Sequence, residues 1–359
     1  MNRSIVGSLD FGLLIPALFL CIISLVTLSS LSGTLFKSQL LYIFISFLVF
    51  FLFSQLRFQI LQSHSFPLYL VSLLLLFIVL VIGLESHGAL RWIDIFGIRI
   101  QFSEICKPFL AVSFSSFLSK QNQGAMSLFF LSLFLFPVVF FIYKQPDLGN
   151  AIVFLLVAFA TLIVSGIPYR LFGAFVFIFV LVLPFASRFL HGYQKERLVT
   201  FFNPTSDPLG TSYNAIQAII AVGSGMFLGK GIGAGTQSTL RFLPERQTDF
   251  IFATYSEAFG FVGSVFLLAC FCFLLYRIYQ IFVSTQGKGE KLFCACAFFT
   301  ILLQAFVNIG MNLGLVPIVG ITLPFVSYGG SSLLSNFIFL GMLSSISSIK
   351  HTKQTIEIR

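Results

Sequence analysis

The chain has 359 residues, of which 57% are hydrophobic and only 9% are Asp, Glu, Lys or Arg. A soluble domain carries about 25% charged residues, so a water-exposed globular surface is excluded along most of this sequence. The net charge of +9 comes from basic residues scattered singly between apolar runs; that excludes a nucleic-acid-binding patch and fits charge placed in membrane-flanking loops.

A bilayer is crossed by about 20 apolar residues in helical form. Runs of that kind are predicted at 11–31, 39–56, 67–84, 103–119, 126–143, 148–166, 170–190, 250–276, 292–312 and 330–349. The expected fold class is therefore an all-α integral membrane protein of about ten transmembrane helices, a single polytopic domain over residues 1–359. The first run follows Met1-Asn2-Arg3 and is longer than a secretory h-region, so it reads as an uncleaved anchor. The 49 phenylalanines suit lipid-facing helix surface. The six cysteines fall in apolar segments without zinc-ligand spacing and read as small buried packing residues.

An even number of spans puts both termini on one side. With that side cytoplasmic, the inner loops hold Arg3, Arg57, Lys120, Arg170, Arg277, Lys288, Lys291, Lys350, Lys353 and Arg359. The short outer loops hold only Lys37, Arg91, Arg99 and Lys144. The bias predicts N-in, C-in. The longest polar segment, 191–249, then becomes a large extracytoplasmic loop between helices 7 and 8. Nine of the twelve carboxylates fall on this outer side, so ionisable chemistry gathers there.

Four stretches on that side could carry chemistry. The first runs from Gly88-Ala89-Leu90-Arg91-Trp92 to Gln101-Phe102-Ser103-Glu104-Ile105-Cys106-Lys107. Trp92, the single tryptophan, is either an interfacial anchor or a site residue. Glu104 and Lys107 share a helix face and form either a simple intramembrane ion pair or part of a cavity. The second is Lys144-Gln145-Pro146-Asp147-Leu148-Gly149-Asn150, a tight turn in which Asp147 can cap the next helix.

The third is Gly231-Ile232-Gly233-Ala234-Gly235-Thr236-Gln237-Ser238, followed by Arg241-Phe242-Leu243-Pro244-Glu245-Arg246-Gln247-Thr248-Asp249-Phe250. Glycines allow close approach of backbone to a charged ligand. Lys230, Arg241 and Arg246 beside them make a candidate pyrophosphate site. Asp249 ends the polar loop and starts an apolar helix, so partial desolvation should raise its pKa toward that of a general base; the alternative is an N-cap. Glu257 lies about two turns deeper. The fourth is the Pro- and Gly-interrupted segment Pro317–Ser332, expected to be irregular backbone buried in protein or lining a wet cavity.

Gly88–Trp92, Gln101–Lys107, Gln145–Gly149, Gly231–Ser238, Leu243–Ala253 and Pro317–Ser331 together resemble, in order and across almost the whole chain, the SEDS (shape, elongation, division and sporulation) family. Arg246, with Gly-Thr-Gln-Ser upstream, and Asp10 look more like its RodA branch than its FtsW branch. The resemblance implies a peptidoglycan glycosyltransferase that polymerises lipid II into β-1,4 glycan strands at the outer face of a bacterial cytoplasmic (inner) membrane, for elongation and cell shape. It implies Asp249 as the catalytic residue. Arg91, Trp92, Glu104, Lys107, Lys230, Gln237, Arg241, Glu245, Arg246, Glu257, Ser327 and Tyr328 form the expected substrate-binding set. Implied partners are lipid II, a class B penicillin-binding protein, membrane lipids and other elongation or division machinery, with no nucleic acid. No cofactor is certain; a divalent cation, magnesium or manganese, is compatible with the expected chemistry. The chain departs from the family pattern at Phe102, Gln247 and Ala258, which removes a titratable neighbour and a second carboxylate near the site. Two other readings stay open: a lipid II flippase, which should carry ionisable residues through the midplane, and a non-catalytic scaffold for the penicillin-binding protein.

Overall fold

The computed structural model describes residues 9–86, 89–95, 98–121, 125–166, 192–203 and 212–357, together with positions 168 and 173. Nine of the ten expected spans coincide with helices; the remaining one, 170–190, lies almost wholly outside the described residues. In chain order the helices are α1 (Phe11–Leu31), α2 (Gly33–Gln55), α3 (Phe58–Ser63), α4 (Ser65–Ile82), α5 (Phe102–Lys120), α6 (Ala125–Lys144), α7 (Leu148–Val164), α8 (Gly192–Phe202), α9 (Tyr213–Ser224), α10 (Thr236–Thr239), α11 (Ile251–Ser284), α12 (Lys288–Asn312) and α13 (Gly330–Glu357). Among the described residues six of them are long and apolar enough to cross a membrane: α1, α2, α4, α11, α12 and the Gly330–Ser348 part of α13. The chain is a multi-pass membrane protein.

Lipid-facing stripes are visible at helical spacing. Leu40, Phe44, Phe47 and Phe51 stand exposed along α2, and Phe66, Leu70, Leu74, Phe77 and Val81 along α4. The opposite faces join a core in which α2 packs on α13, α1 on α11, and α12 on α5, α7 and α11. α11 runs eight residues beyond the apolar run expected to end at 276. The charge of Arg277, which ended that run, is met by Asp10 at the start of α1: Nε–Oδ1 is 3.0 Å and Nη2–Oδ2 is 2.8 Å. Ser347 of α13 donates to the same carboxylate at 2.7 Å. Burial pushes the Asp10 pKa up, but the Arg277 and Ser347 hydrogen bonds outweigh it and hold the group below its ordinary value.

Two features add detail to the predominantly helical fold expected and to the plain loop of 191–249. Strands β1 (Leu84–Ser86), β2 (Ala89–Ile95) and β3 (Ile98–Ile100) form a three-stranded antiparallel sheet in order β1-β2-β3. Ile93 pairs with Ile100 and Asp94 with Arg99; this puts opposite charges across from one another. The 191–249 segment also contains α8, α9 and α10.

The cysteine expectation needs one correction as well: five of the six are buried, but Cys272 is exposed on the lipid-facing side of α11.

Inside α11 the backbone breaks at Gly260 (φ 65°, ψ −157°). Unpaired peptide groups at membrane depth are costly, and the segment after α9 satisfies them. Phe261 N–H donates to Met226 O at 2.9 Å and Val262 N–H to Phe227 O at 3.2 Å. From the other strand of the contact, Lys230 N–H donates to Glu257 O and Gly231 N–H to Ala258 O, both at 3.0 Å. A Cβ at Gly260 would lie 2.3 Å from Gly229 N, so this close crossing requires glycine.

Candidate active site

Asp249 sits where α11 begins, and its main chain is fixed from two sides. Asn308 and Asn312, one turn apart on α12, each donate from Nδ2 to Asp249 O at 3.0 Å. Asn312 Oδ1 also accepts from Ala253 N–H at 3.1 Å, and Asn308 Nδ2 reaches Ile321 O at 2.7 Å. On the other side the Pro317–Ser331 segment folds back over the loop. Ser327 Oγ donates to Thr248 O at 2.7 Å, and Tyr328 N–H donates to Gln247 O at 2.8 Å. Gln39 of α2 ties this segment to the bundle by donating to Ser327 O and accepting from Gly329 N–H. The backbone is irregular over 317–329, partly buried at 317–320 and mostly buried over 321–327, with Gly320 at φ +71°; α13 begins at Gly330.

The Asp249 side chain does not cap its helix. The capping position is Phe250, where no side chain accepts a hydrogen bond. Thr248 Oγ1 bonds instead to Glu245 O at 3.3 Å and Glu245 Oε2 at 3.1 Å. The Asp249 carboxylate is half-buried, and its Oδ2 would stand 3.5 Å from a Cβ at Gly320. Burial raises its pKa from 3.8 to about 6, and the neighbouring Glu245 carboxylate adds to the rise; Arg197 and Arg91 pull against it.

Arg91 on β2 donates to Pro146 O and, at 3.4 Å, to Gln145 O, so the sheet is pinned to the turn between α6 and α7. Trp92, the next residue on the strand, points to the other face of the sheet. Asp147 does cap α7, accepting from Asn150 N–H at 3.3 Å. It also gathers Gln101 Nε2 at 2.9 Å and Ser103 Oγ at 3.2 Å, joining the starts of α5 and α7.

Several expected substrate contacts turn out to be engaged within the protein. Glu104 and Lys107 form a buried pair at 2.6 Å, each side chain about 4% exposed or less. Lys107 faces a mostly apolar cavity among α5, α6, α7 and α12. Glu257, with no exposed side-chain surface, is the hub of the glycine-rich loop. Its Oε1 accepts from Gln237 N–H at 2.9 Å and Lys230 Nζ at 3.2 Å, and its Oε2 from Ser238 N–H at 2.9 Å and Ser238 Oγ at 2.8 Å. A buried carboxylate so surrounded fixes the loop and the start of α10 rather than facing a ligand. Lys230 is held there with it, its side chain still partly exposed.

Gln237 sits in the same knot, with its Oε1 buried. Arg246 Nη1 bonds the carbonyl of Ser238 at the end of α10, and burial together with the charge of Arg241 lowers its pKa. Arg241 itself is exposed, in the left-handed region at φ 62°. Sequence reasoning passed over Asn308, Asn312 and Arg197. The asparagines were signalled by i, i+4 spacing inside an apolar span; Arg197, in a polar helix, had no such signal.

No three His, Cys, Asp or Glu side chains group as a metal site among the described residues. The donors nearest the site are the Glu245 and Asp249 carboxylates, which suit a hard cation such as magnesium or manganese only when phosphate oxygens complete the set.

Comparison with known proteins gives a consistent picture. A family model described as a cell cycle protein, FtsW/RodA/SpoVE, matches residues 4–352. Peptidoglycan glycosyltransferase MrdB of Escherichia coli strain K12 is 39% identical over 288 residues, covering 78% of this chain and 76% of that protein. The probable peptidoglycan glycosyltransferase FtsW of Buchnera aphidicola subsp. Schizaphis graminum is 34% identical over 319 residues, covering 86% and 89%. A chain from a solved peptidoglycan synthase complex, described for its coordination of polymerization and crosslinking, superposes with a TM-score of 0.82 at 31% identity over 94% of this chain and 97% of that one. The crystal structure of the rod shape determining protein RodA of Thermus thermophilus gives a TM-score of 0.72 at 28% identity, over 94% and 96%.

Proposed function

The chain belongs to the FtsW/RodA/SpoVE family, and from that membership we propose that it is a peptidoglycan glycosyltransferase. It polymerises lipid II at the outer face of a bacterial cytoplasmic membrane, for cell-wall elongation and shape. A class B penicillin-binding protein is its crosslinking partner. The loop face that bears Asp249 and the sheet is the extracytoplasmic one.

The observation that carries the reading is Asp249: a half-buried carboxylate, free of capping duty, fixed through its carbonyl by two asparagines and poised at a pKa of about 6. Such a group is ionised at neutral pH and still basic enough to take a proton in the transition state. Asp249 accepts the proton of the acceptor sugar 4-hydroxyl as that oxygen attacks the anomeric carbon of the donor. The bond from that carbon to the pyrophosphate oxygen breaks, and undecaprenyl pyrophosphate leaves with the electron pair. A single displacement inverts the α-linked donor to a β-1,4 product. Pyrophosphate is a good leaving group, so cationic side chains that stabilise its charge suffice in place of a strong general acid. A divalent cation held by Glu245, Asp249 and the substrate phosphates would supply further charge neutralisation there.

The test is polymerisation of fluorescent lipid II by the purified protein, with and without its cognate penicillin-binding protein, with products resolved on a gel. A ladder from the wild type that vanishes in Asp249→Ala is expected. A folded wild-type complex that yields no ladder would overturn the enzyme reading in favour of a flippase or scaffold.

A further inference from the structure

We propose that the turn Gly225–Gly229, between α9 and the glycine-rich loop, is a re-entrant anchor. Its Met226, Phe227 and Leu228 side chains insert among the phospholipid acyl chains of the leaflet on the Asp249 side. The turn belongs to the long polar segment 191–249, yet Met226 is 79% exposed, Phe227 65% and Leu228 76%. Single exposed apolar residues are ordinary, but three in succession beside a membrane-crossing helix mark a contact with lipid or with a partner.

The depth of the turn decides between them. Arg277, paired with Asp10 at the start of α1 and partly exposed, marks the far edge of the hydrocarbon. At about 1.5 Å per residue, the unbroken helix from Arg277 back to Phe261 rises about 24 Å. That is less than the hydrocarbon thickness of about 30 Å, and any tilt of α11 puts Phe261 deeper still. Phe261 N–H donates to Met226 O and Val262 N–H to Phe227 O, and the Phe227 ring stacks on that of Phe261 at 5.9 Å between centroids. The tip therefore lies below the near edge of the hydrocarbon, not in water above it.

Irregular backbone at that depth must be satisfied by the protein. Gly225 and Gly229 press the chain flat on α11: a Cβ at Gly225 would lie 2.0 Å from Ser256 O, and one at Gly229 2.2 Å from Ala258 O. Between these glycines the main chain bonds to α11 and to itself, with Gly229 N–H donating to Gly225 O at 2.8 Å, while the three side chains stand on the outside. Their surface continues the lipid-facing stripe of α11, where Phe261, Val262, Val265 and Phe266 are exposed. From Met226 to Phe242 the chain carries no carboxylate, and its only charges are Lys230 and Arg241. An apolar tip with a cationic rim suits a phospholipid surface. The anchor fixes the height of Lys230, Gly231 and the Glu257 knot relative to the membrane.

The test is tryptophan fluorescence of the full chain in phospholipid vesicles. Trp92→Phe removes the native reporter, and Phe227→Trp places one at the tip. Phe266→Trp in the stripe and Gln286→Trp in the exposed turn after α11 set the lipid and water limits. Phospholipids brominated along the acyl chain are expected to quench Phe227→Trp to the extent of Phe266→Trp, most strongly with bromine near the glycerol end. Acrylamide quenching to the extent of Gln286→Trp would show a turn standing in water and overturn the anchor. Resistance to both quenchers would show protein covering the tip, a second copy or a partner's helix, and would overturn lipid as its partner. If Phe227→Trp does not fold, Leu228→Trp carries the same expectation and the same two refuting outcomes. None of these readouts requires polymerisation, so the result stands apart from the glycosyltransferase reading.

Discussion

Replacing Asp249 with asparagine should stabilise the protein while abolishing polymerisation. The carboxylate is raised from 3.8 to about 6, first by burial and then by Glu245. A rise of that size, at about 1.36 kcal/mol per pH unit, amounts to about 3 kcal/mol of strain in the charged form. The sign follows from proton linkage: the folded state holds the Asp249 proton more tightly than the unfolded state. The penalty is therefore absent below about pH 4, grows between pH 4 and 6, and is complete above pH 6. Asparagine keeps the shape, and the clamps from Asn308 and Asn312 engage the carbonyl, which the substitution leaves in place. Thermal unfolding of wild type and Asp249→Asn in detergent, at pH 4 and at pH 8, checks this. The variant should melt higher at pH 8 and level with wild type at pH 4. Equal shifts at the two pH values, or a lower melting temperature at pH 8, would refute the desolvated-base argument. The same titration predicts that wild-type polymerisation falls as pH drops through about 6, when the base becomes protonated.

Glu257→Ala strips the acceptors from Gln237, Ser238 and Lys230 and leaves buried loop donors unsatisfied, which should cost about 1–3 kcal/mol; a lower melting temperature with faster proteolysis within residues 225–240 checks it. Asp10→Asn removes the partner of Arg277 and should cost about 1–2 kcal/mol after allowance for the partial exposure of the arginine. Because the Asp10 pKa is lowered in the fold, that deficit should be full near neutrality and vanish as pH falls below the ordinary carboxylate range, as paired melting curves would reveal. Gly320→Ala forces an L side chain to φ +71° beside Asp249, a strain of about 1–2 kcal/mol; the gel assay should show weaker polymerisation with a small loss of melting temperature.

The membrane-crossing helices were legible in the sequence because apolar length is a local property and the bilayer sets its scale. One end moved because a distant residue intervened: Asp10 neutralises Arg277, and α11 continues to Ser284. Asp249 was legible too, since a carboxylate at the boundary between a polar loop and an apolar helix is desolvated wherever the rest of the chain lies. The sheet left a signal that span-counting overrode: Ile93-Asp94-Ile95 and Ile98-Arg99-Ile100 alternate on either side of Phe96-Gly97, a hairpin pattern in the sequence.

Tertiary structure alone decided how the charged residues divide between scaffold and site. Lys230, Arg246 and Lys107 look alike as isolated cations, yet they are drawn into contacts with Glu257, the end of α10 and Glu104 respectively. Sequence determined which residues are ionisable and roughly how deep they lie. Which of them meet is set by contacts between segments as far apart as Asp10 and Ser347, because charge pairing depends on distance in space and not on separation along the chain.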